Sequence, residues 1–151
     1  MATTISNLID AIVTRVGTVL PNHIRLPNAY RIEKNPETCL KQGWSISVLG
    51  GFNTEKLLSN KVTIQRNFEI TLTRRIYALE SDAISRTTAD KDLNEDLILI
   101  IKDFEADPSL NGVAMWTKWV SDGGITFLTP ELENYVVIKA LFTSEYIESL
   151  T

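Results

Sequence analysis

The largest cluster of reactive side chains is a set of carboxylates in the second half of the chain. Carboxylates that converge on two metal ions can form a nuclease site, usually with a lysine nearby. Most of these carboxylates instead recur at helical spacing, and Lys91 precedes Glu95 by four residues, as in a surface ion pair. We interpret them as a solvated helix face and predict no metal site among Asp90, Asp92, Glu95, Asp96, Asp103, Glu105 and Asp107.

Other residues that carry chemistry are few. His23 is the only histidine and Cys39 the only cysteine, so the sequence offers neither an internal disulfide nor a second histidine to activate the thiol. His23 follows a proline and an asparagine in a polar link, and we interpret it as a surface residue. The glycine pairs at 50–51 and 123–124 are isolated and typical of turns, not of phosphate-binding loops. The sequence therefore predicts no catalytic residue and no cofactor, and favours a protein that is not an enzyme.

Length and composition set the class of protein. The chain has 151 residues and a formal net charge of −4, from 15 Lys and Arg against 19 Asp and Glu. This length is typical of one domain, and a hydrophobic fraction of 44% with 23% charged residues excludes global disorder. No apolar run approaches the ~20 residues that span a bilayer. We therefore predict one domain over residues 1–151 with no membrane partner.

Two amphipathic helices position these side chains. The first is predicted from about Thr4 to Leu20, because its apolar residues recur on one face and Pro21 cannot continue the helix. The second has Thr87 or Thr88 available as its N-cap. Its apolar stripe consists of Leu93, Leu97, Ile100, Ile101 and Phe104.

The remaining segments alternate as strands do. A half-buried strand is predicted over residues 44–48, a long loop over 52–60, and an unusually long strand over 61–79. Because strands rarely exceed ~10 residues, we expect the long strand to bend at a bulge or to project as one arm of a hairpin. Its second side is rich in threonine, which suits an exposed or partner-facing surface. A short strand is also suggested around residues 29–33.

The last third is predicted as strand again. Residues 113–120 and 125–128 would be two strands joined by a turn at 121–124, followed by a long strand from about 135 to 143. The order helix, strands, helix, strands is typical of an α+β domain. We therefore predict a mostly antiparallel β-sheet with two amphipathic helices packed on one face, and a long β-hairpin or loop extension.

Two groups of residues are candidates for protein contacts. The first is a basic segment, for which a salt-bridged subunit contact is favoured over DNA binding because few aromatic residues accompany it. The second is Trp116 and Trp119, which lie three apart in a strand and so point to opposite faces. One of the two is expected in the core, and the other either at an interface or covered by a neighbouring segment. The basic segment comprises Arg66, Arg74, Arg75 and Arg86.

The order of the elements is the most informative feature of the whole chain. An opening helix ends at Leu20-Pro21, a long alternating strand and an acidic second helix follow, and two strands close the chain. In this order the chain resembles the siphophage tail-terminator family, of the lambda gpU type. The elements that carry the resemblance are Ile5–Leu20, Lys61–Leu79, Asp92–Glu105, Val113–Val120 and Tyr135–Phe142.

The resemblance implies a homohexameric ring in the virion, at the head-proximal end of a tail assembled in the host cytoplasm. Such a ring docks on the last ring of tail-tube subunits, stops tube polymerisation and presents a surface for the head-completion proteins. DNA passes through the lumen without specific binding. Six copies at −4 each would carry −24, and repulsion from the phosphates would limit sticking.

A ring closes only if two different patches on one subunit are complementary. We hypothesise that the acidic second helix of one copy meets the basic segment of the next. The candidates for this contact are Arg66, Arg74, Arg75, Arg86, Asp92, Asp96 and Asp103. Candidates for contact with the tube or neck are the two tryptophans and the apolar residues of the predicted loop, which would otherwise fold back on its own core: Phe52, Leu57, Leu58, Trp116 and Trp119.

Two alternatives remain open from the sequence. A head–tail joining protein of the neck uses a similar small α+β fold and ring symmetry. A small cytoplasmic ligand-binding domain or enzyme would belong to a different class and would need a pocket with convergent polar groups. A nucleic-acid-processing protein is a weaker third candidate, which would have to bind DNA at low salt.

Overall fold

A computed structural model describes residues 2–26, 42–58, 60–76, 85–127 and 135–150. Two helices and six strands lie in these ranges. In chain order they are β1 (Ala2–Thr3), α1 (Ile5–Val19), β2 (Ile24–Arg25), β3 (Gln42–Leu58), β4 (Lys61–Arg75), α2 (Arg86–Ala106), β5 (Trp116–Phe127) and β6 (Tyr135–Ser149).

Each helix begins at a hydroxyl side chain that accepts a backbone hydrogen bond. The Thr4 hydroxyl accepts from the Asn7 amide, which confirms the predicted start of α1. The start predicted for α2 is wrong, because its N-cap is Ser85 and neither of the two threonines. Ser85 Oγ accepts the amide hydrogen of Thr88, so the helix begins earlier than the apolar stripe alone suggests.

The strands form one mostly antiparallel sheet. Its order is β1-β6-β4-β3-β2, with β5 also pairing with β6. The pairs β3–β4, β4–β6 and β5–β6 are antiparallel, whereas the two-residue strands β1 and β2 pair in parallel at the margins. The prediction of an α+β fold with a mostly antiparallel sheet and two helices is confirmed.

Strands β3 and β4 form a long hairpin. Their pairing runs from Gln42 opposite Arg74 to Leu58 opposite Lys61, with three register shifts. The long loop predicted over residues 52–60 is therefore wrong, because irregular positions in β3 are accommodated as bulges while the strand continues. β4 pairs with β6 without interruption along its whole length, so it neither bulges nor projects beyond the sheet. The short strand suggested around residues 29–33 lies outside the described residues.

Strand β5 is continuous through the position where a turn was predicted. Asp122 lies opposite Ala140 and Ile125 opposite Ile138, so three steps on β5 match two on β6. Gly124 adopts a positive φ of 77° there, and its amide donates to Asp122 Oδ1 at 2.9 Å. The glycine pair therefore forms a bulge within a strand and does not reverse the chain.

Three phenylalanines join α2 to the centre of the sheet. The ring centroid of Phe104 on α2 is 6.5 Å from that of Phe68 on β4 and 5.3 Å from that of Phe142 on β6. Phe68 and Phe142 stack at 5.6 Å. All three side chains are buried and belong to one apolar cluster that also contains Leu8, Ile12 and Val16 of α1 and Leu93, Leu97 and Ile100 of α2.

The threonine-rich side of β4 is covered over part of its length. Thr71 and Thr73 are buried, contrary to the exposed surface predicted for this side. Leu26, directly after β2, contributes to the cover, because a Cβ added to Gly43 would lie 3.1 Å from Leu26 Cδ1 and 3.2 Å from Thr73 Oγ1. Glycine at position 43 therefore allows Leu26 to approach the sheet closely.

We expect Phe104→Ala to lower the free energy of unfolding by about 3–5 kcal/mol, because it removes the ring that both sheet phenylalanines contact. Urea denaturation followed by circular dichroism measures this change. Ile98→Ala, at a side chain of α2 that is 48% exposed, is the matched control and should change the free energy by no more than about 0.5 kcal/mol. Equal effects of the two substitutions would contradict the assignment of the core.

Candidate functional site

The predicted interface acids of α2 are paired within the chain. Asp92 Oδ2 lies 2.6 Å from Arg74 Nη2, which projects from β4. Asp96 Oδ2 lies 2.8 Å from His23 Nε2, and Asp103 Oδ2 lies 2.8 Å from Arg15 Nε. The structure thus brings one predicted basic residue and one predicted acidic residue together inside a single copy.

Arg15 is the residue that sequence reasoning missed. Its guanidinium binds Asp103 through Nε, Asp107 Oδ2 through Nη1 at 2.7 Å, and the Asp103 carbonyl through Nη2 at 3.2 Å. It places a positive charge at the C-terminal end of α2, where the helix dipole is negative. The signal was present, since Arg15 is the one basic residue in α1 and stands among apolar neighbours. Arg15 therefore fixes the end of α2 against α1.

These contacts shift the pKa of both partners. The hydrogen bond from Arg15, followed by those from the Ser109 side chain and the Asn111 amide, lowers the pKa of Asp107 from 3.8 to about 2. The carboxylates of Asp107 and Asp103 raise the pKa of Arg15 above its ordinary value, and the hydrogen bond with Asp107 is the largest cause. These contacts form an ion-pair network that favours the charged forms of Arg15 and Asp107.

His23 is half-buried and its side chain is largely covered, so its prediction as a surface residue is wrong. Its side chain is 9% exposed, and Nδ1 has no hydrogen-bond partner within the described residues. A histidine oriented by an aspartate acts as a catalytic base when a nucleophile faces its other nitrogen. The adjoining cleft, of about 280 Å³, is lined by described residues among which there is no serine, threonine or cysteine: Val19, Leu20, Pro21, Asn22, His23, Gln42, Arg74, Asp92, Asp96 and Leu99.

The described residues contain no group of three or more His, Cys, Asp or Glu side chains close enough to hold a metal ion. Within the same ranges, no helix has the length and apolar character needed to cross a membrane.

The other predicted arginines differ in their surroundings. Arg86 Nε lies 2.8 Å from Asp90 Oδ1, and its guanidinium stands 5.0 Å from the Phe127 ring centroid at the end of β5. Arg66 Nη1 donates to the Leu49 carbonyl at 3.4 Å. Arg75, half-buried, closes β4 opposite Tyr135. Arg66, Arg74 and Arg86 therefore all make contacts within the chain, and an intersubunit role for the group stays a prediction.

Arg66, Tyr146 and Glu148 form a buried polar group next to the first turn of α1. Arg66 Nε, the Tyr146 hydroxyl and Glu148 Oε2 are all buried, and the side chains of Arg66 and Glu148 both interact with that hydroxyl. Burial, with a smaller contribution from the Glu148 charge, raises the pKa of Tyr146. Glu148 Oε1 accepts the Ile5 amide at 3.3 Å, which places a carboxylate at the positive end of α1. This group therefore connects β4 and β6 to the first turn of α1.

The two tryptophans point to opposite faces, as predicted, but neither is in the core. Trp119 lies opposite Phe142 on β6 and is 40% exposed. Trp116 lies opposite Glu145 and is half-buried, because Nε1 donates to Glu145 Oε2 at 2.6 Å and Lys118 stands 5.0 Å from its ring centroid. Trp119 is therefore the more accessible of the two contact candidates.

The other predicted contact residues lie in β3. Phe52 is 56% exposed. Leu57 and Leu58 form the last residues of β3, and their side chains lie outside the described part of the structure. Sequence reasoning missed further exposed apolar residues on the outer strands, although their strand alternation was visible: Val48, Leu49, Val120 and Phe127.

The sequence matches no protein-family model and no curated protein. The resemblance to tail terminators therefore rests on the order of helices and strands.

We expect the stability of the chain to fall as the pH decreases from about 4 to about 2. Because the folded pKa of Asp107 is depressed, its stabilising contribution is complete above its unfolded pKa and is lost as the pH falls through the folded value. Urea midpoints at several pH values between 2 and 7 measure this loss. Asp107→Asn should reduce the dependence in this window, whereas Glu105→Gln on the same helical turn should retain it.

We also expect the ion pair between Arg74 and Asp92 to stabilise a single copy by about 1 kcal/mol. Arg74→Asp should lower the urea midpoint, and adding Asp92→Arg in the same chain should restore part of it. The measurement is a double-mutant cycle at dilute protein. A coupling free energy of zero would show that these two residues do not depend on one another within one copy.

Proposed function

We propose that this chain is a structural assembly protein of a phage tail. It forms a homohexameric ring on the last ring of tail-tube subunits, terminates tube polymerisation and provides the interface for head attachment. The observation that carries the proposal is the placement of exposed apolar side chains on both outer long strands, while charged groups of α2 pair within the chain. This distribution favours a protein that works through its surfaces.

Six exposed apolar residues are concentrated on the two outer long strands. Val48, Leu49 and Phe52 lie on β3, and Trp119, Val120 and Phe127 lie on β5. Single exposed apolar residues are ordinary, but their concentration on two outer strands supports contact surfaces there. Aromatic residues are also enriched where proteins meet. The two groups lie on different strands, which suits the unlike patches that a ring requires.

We propose further that α1 and α2 cover the same face of the sheet. The contacts of Phe104 with Phe68 and Phe142 support this for α2. For α1, support comes from Gly17, where an added Cβ would lie 4.0 Å from the Trp44 ring on β3. Within the described residues the two strand edges then remain available to partners, whereas Thr71 and Thr73 on the opposite face are buried.

The proposed partners are other copies of the chain, the tail-tube protein and a head-completion protein. DNA passes through the lumen, and the net charge of −4 per copy disfavours adhesion of the phosphates. The protein then resides at the head-proximal end of the tail.

Deleting the gene from its phage genome tests this proposal. We expect tails of uncontrolled length, because nothing stops the tube from polymerising, and electron microscopy of lysates measures the length distribution. Complementation with the unaltered gene is the control and should restore a single length. Tails of normal length that fail to join heads would contradict termination and would identify a head–tail joining protein instead.

A further inference from the structure

We infer that copies of this chain join edge to edge, with β5 of one copy pairing antiparallel to β3 of the next. The inference rests on the proposed ring. In the described residues, β5 has a strand partner on one side, β6. Among the same residues, β2 pairs on the outer side of β3 with Gly43 and Trp44 alone. Within the described part of the chain both outer strands therefore present open edges, to which a further strand can be added.

The directions of the strands favour a second copy as the partner. Because β5, β6, β4 and β3 alternate in direction, the two edge strands run opposite ways. A rotation about a ring axis preserves strand direction along that axis, so β5 of one copy meets β3 of the next as an antiparallel pair. Antiparallel pairs are the more stable kind, and the contact joins two different patches, as ring closure requires.

The exposed aromatic rings give this junction apolar area. Phe52, Trp119 and Phe127 each leave roughly half of the side chain exposed, which is about 100 Å² for each ring. Together they supply about 300 Å² of the ~800 Å² that each partner buries in a standard interface. The backbone of the added strand supplies further area and hydrogen bonds.

The existing pairing restricts the register of the junction. Across the sheet, Phe127 lies opposite Val136, Val136 opposite Arg74, and Arg74 opposite Gln42. Phe127 and Gln42 therefore lie at the same position along the strand direction, and we call such residues level with one another. A level junction would therefore overlap β2, which already pairs with residues 43 and 44. The incoming β5 must be displaced toward the turn of the hairpin.

Successive residues of a strand point to opposite faces of the sheet. Only a displacement of the incoming β5 by an even number of residues therefore keeps its side chains on their own faces. Four residues is the smallest even displacement that clears β2. Ile125, level with Trp44, then lies opposite the exposed Val48 of the next copy. Thr126, level with Gly43, lies opposite Ser47. A stagger of this kind is also what a sheet needs to close on itself.

Disulfide cross-linking tests the register directly. The variant carries Ser47→Cys and Thr126→Cys in a Cys39→Ser background, since the native cysteine would otherwise compete. Within one copy the two positions are three strand spacings apart across the sheet, about 14 Å, and four residues apart along the strands, about 13 Å, which is too far for a disulfide. We expect mild oxidation to give covalent oligomers that extend to a closed ring.

The double variant with Ser47→Cys and Thr126→Cys has three kinds of control. Each single cysteine variant should give no ladder of oligomers. Pairing Ser47→Cys with Ser121→Cys tests the level register, because Ser121 is level with Ser47. Pairing Ser47→Cys with Lys139→Cys places the second cysteine on the same face but on the interior strand β6. Both paired controls should give at least tenfold less covalent product.

The junction is overturned if the double variant gives no covalent oligomer at any concentration up to about 1 mM, or if a control pair cross-links as well. Rings detected by native mass spectrometry without this cross-link would overturn the junction and leave the proposed ring intact. The proposed function itself fails separately, through the length of the tails in the gene deletion.

A charge on the edge provides a second measurement. Val48→Lys should weaken self-association at least tenfold, because it places a charge at the centre of the junction, without changing the urea midpoint of the single copy. Ile98→Lys, at a comparably exposed apolar residue on α2, is the matched control and should retain association. Sedimentation velocity measures both, and the reverse order of effects would refute the junction.

Discussion

The uninterrupted pairing of β4 with β6 is the constraint on which the rest of the structure depends. It runs from Lys61 opposite Ser149 to Arg75 opposite Tyr135 and fixes which side chains share a face. Because a slip by one residue would exchange the two faces, this pairing keeps Phe68 and Phe142 together under Phe104. β3 and β5 then add on either side, and their register follows from that of the central pair.

Ion pairs fix the helices where apolar packing alone leaves freedom to slide. The guanidinium of Arg15 joins α1 to the last turn of α2, Arg74 joins β4 to Asp92, and His23 joins the segment after α1 to Asp96. Each contact is directional, whereas the buried stripes of the two helices tolerate small shifts. The acidic character of α2 is therefore explained in part by partners within the same chain.

The sequence was sufficient to predict elements whose apolar period is long and regular. It located α1, the stripe of α2 and the strand nature of β4, because the burial of one face imposes that period. It failed at residues 52–60, where the lack of a clean period predicted a loop, and at 121–124, where a glycine pair suggested a turn. Both segments are instead strand with bulges, which depend on a neighbouring strand. It also missed the pairing of Arg15 and the burial of His23, since both depend on where α2 lies in space.

The bulge at Gly124 has a consequence for solubility. A long open strand with exposed aromatic residues is a template on which unrelated chains, and misfolded copies, can assemble into fibres. The positive φ of Gly124 and the extra residue in β5 bend this edge and break its regular ladder of donors and acceptors. Only a strand that matches the bend pairs along its full length. The same glycine thus limits the pairing of unrelated strands along this edge.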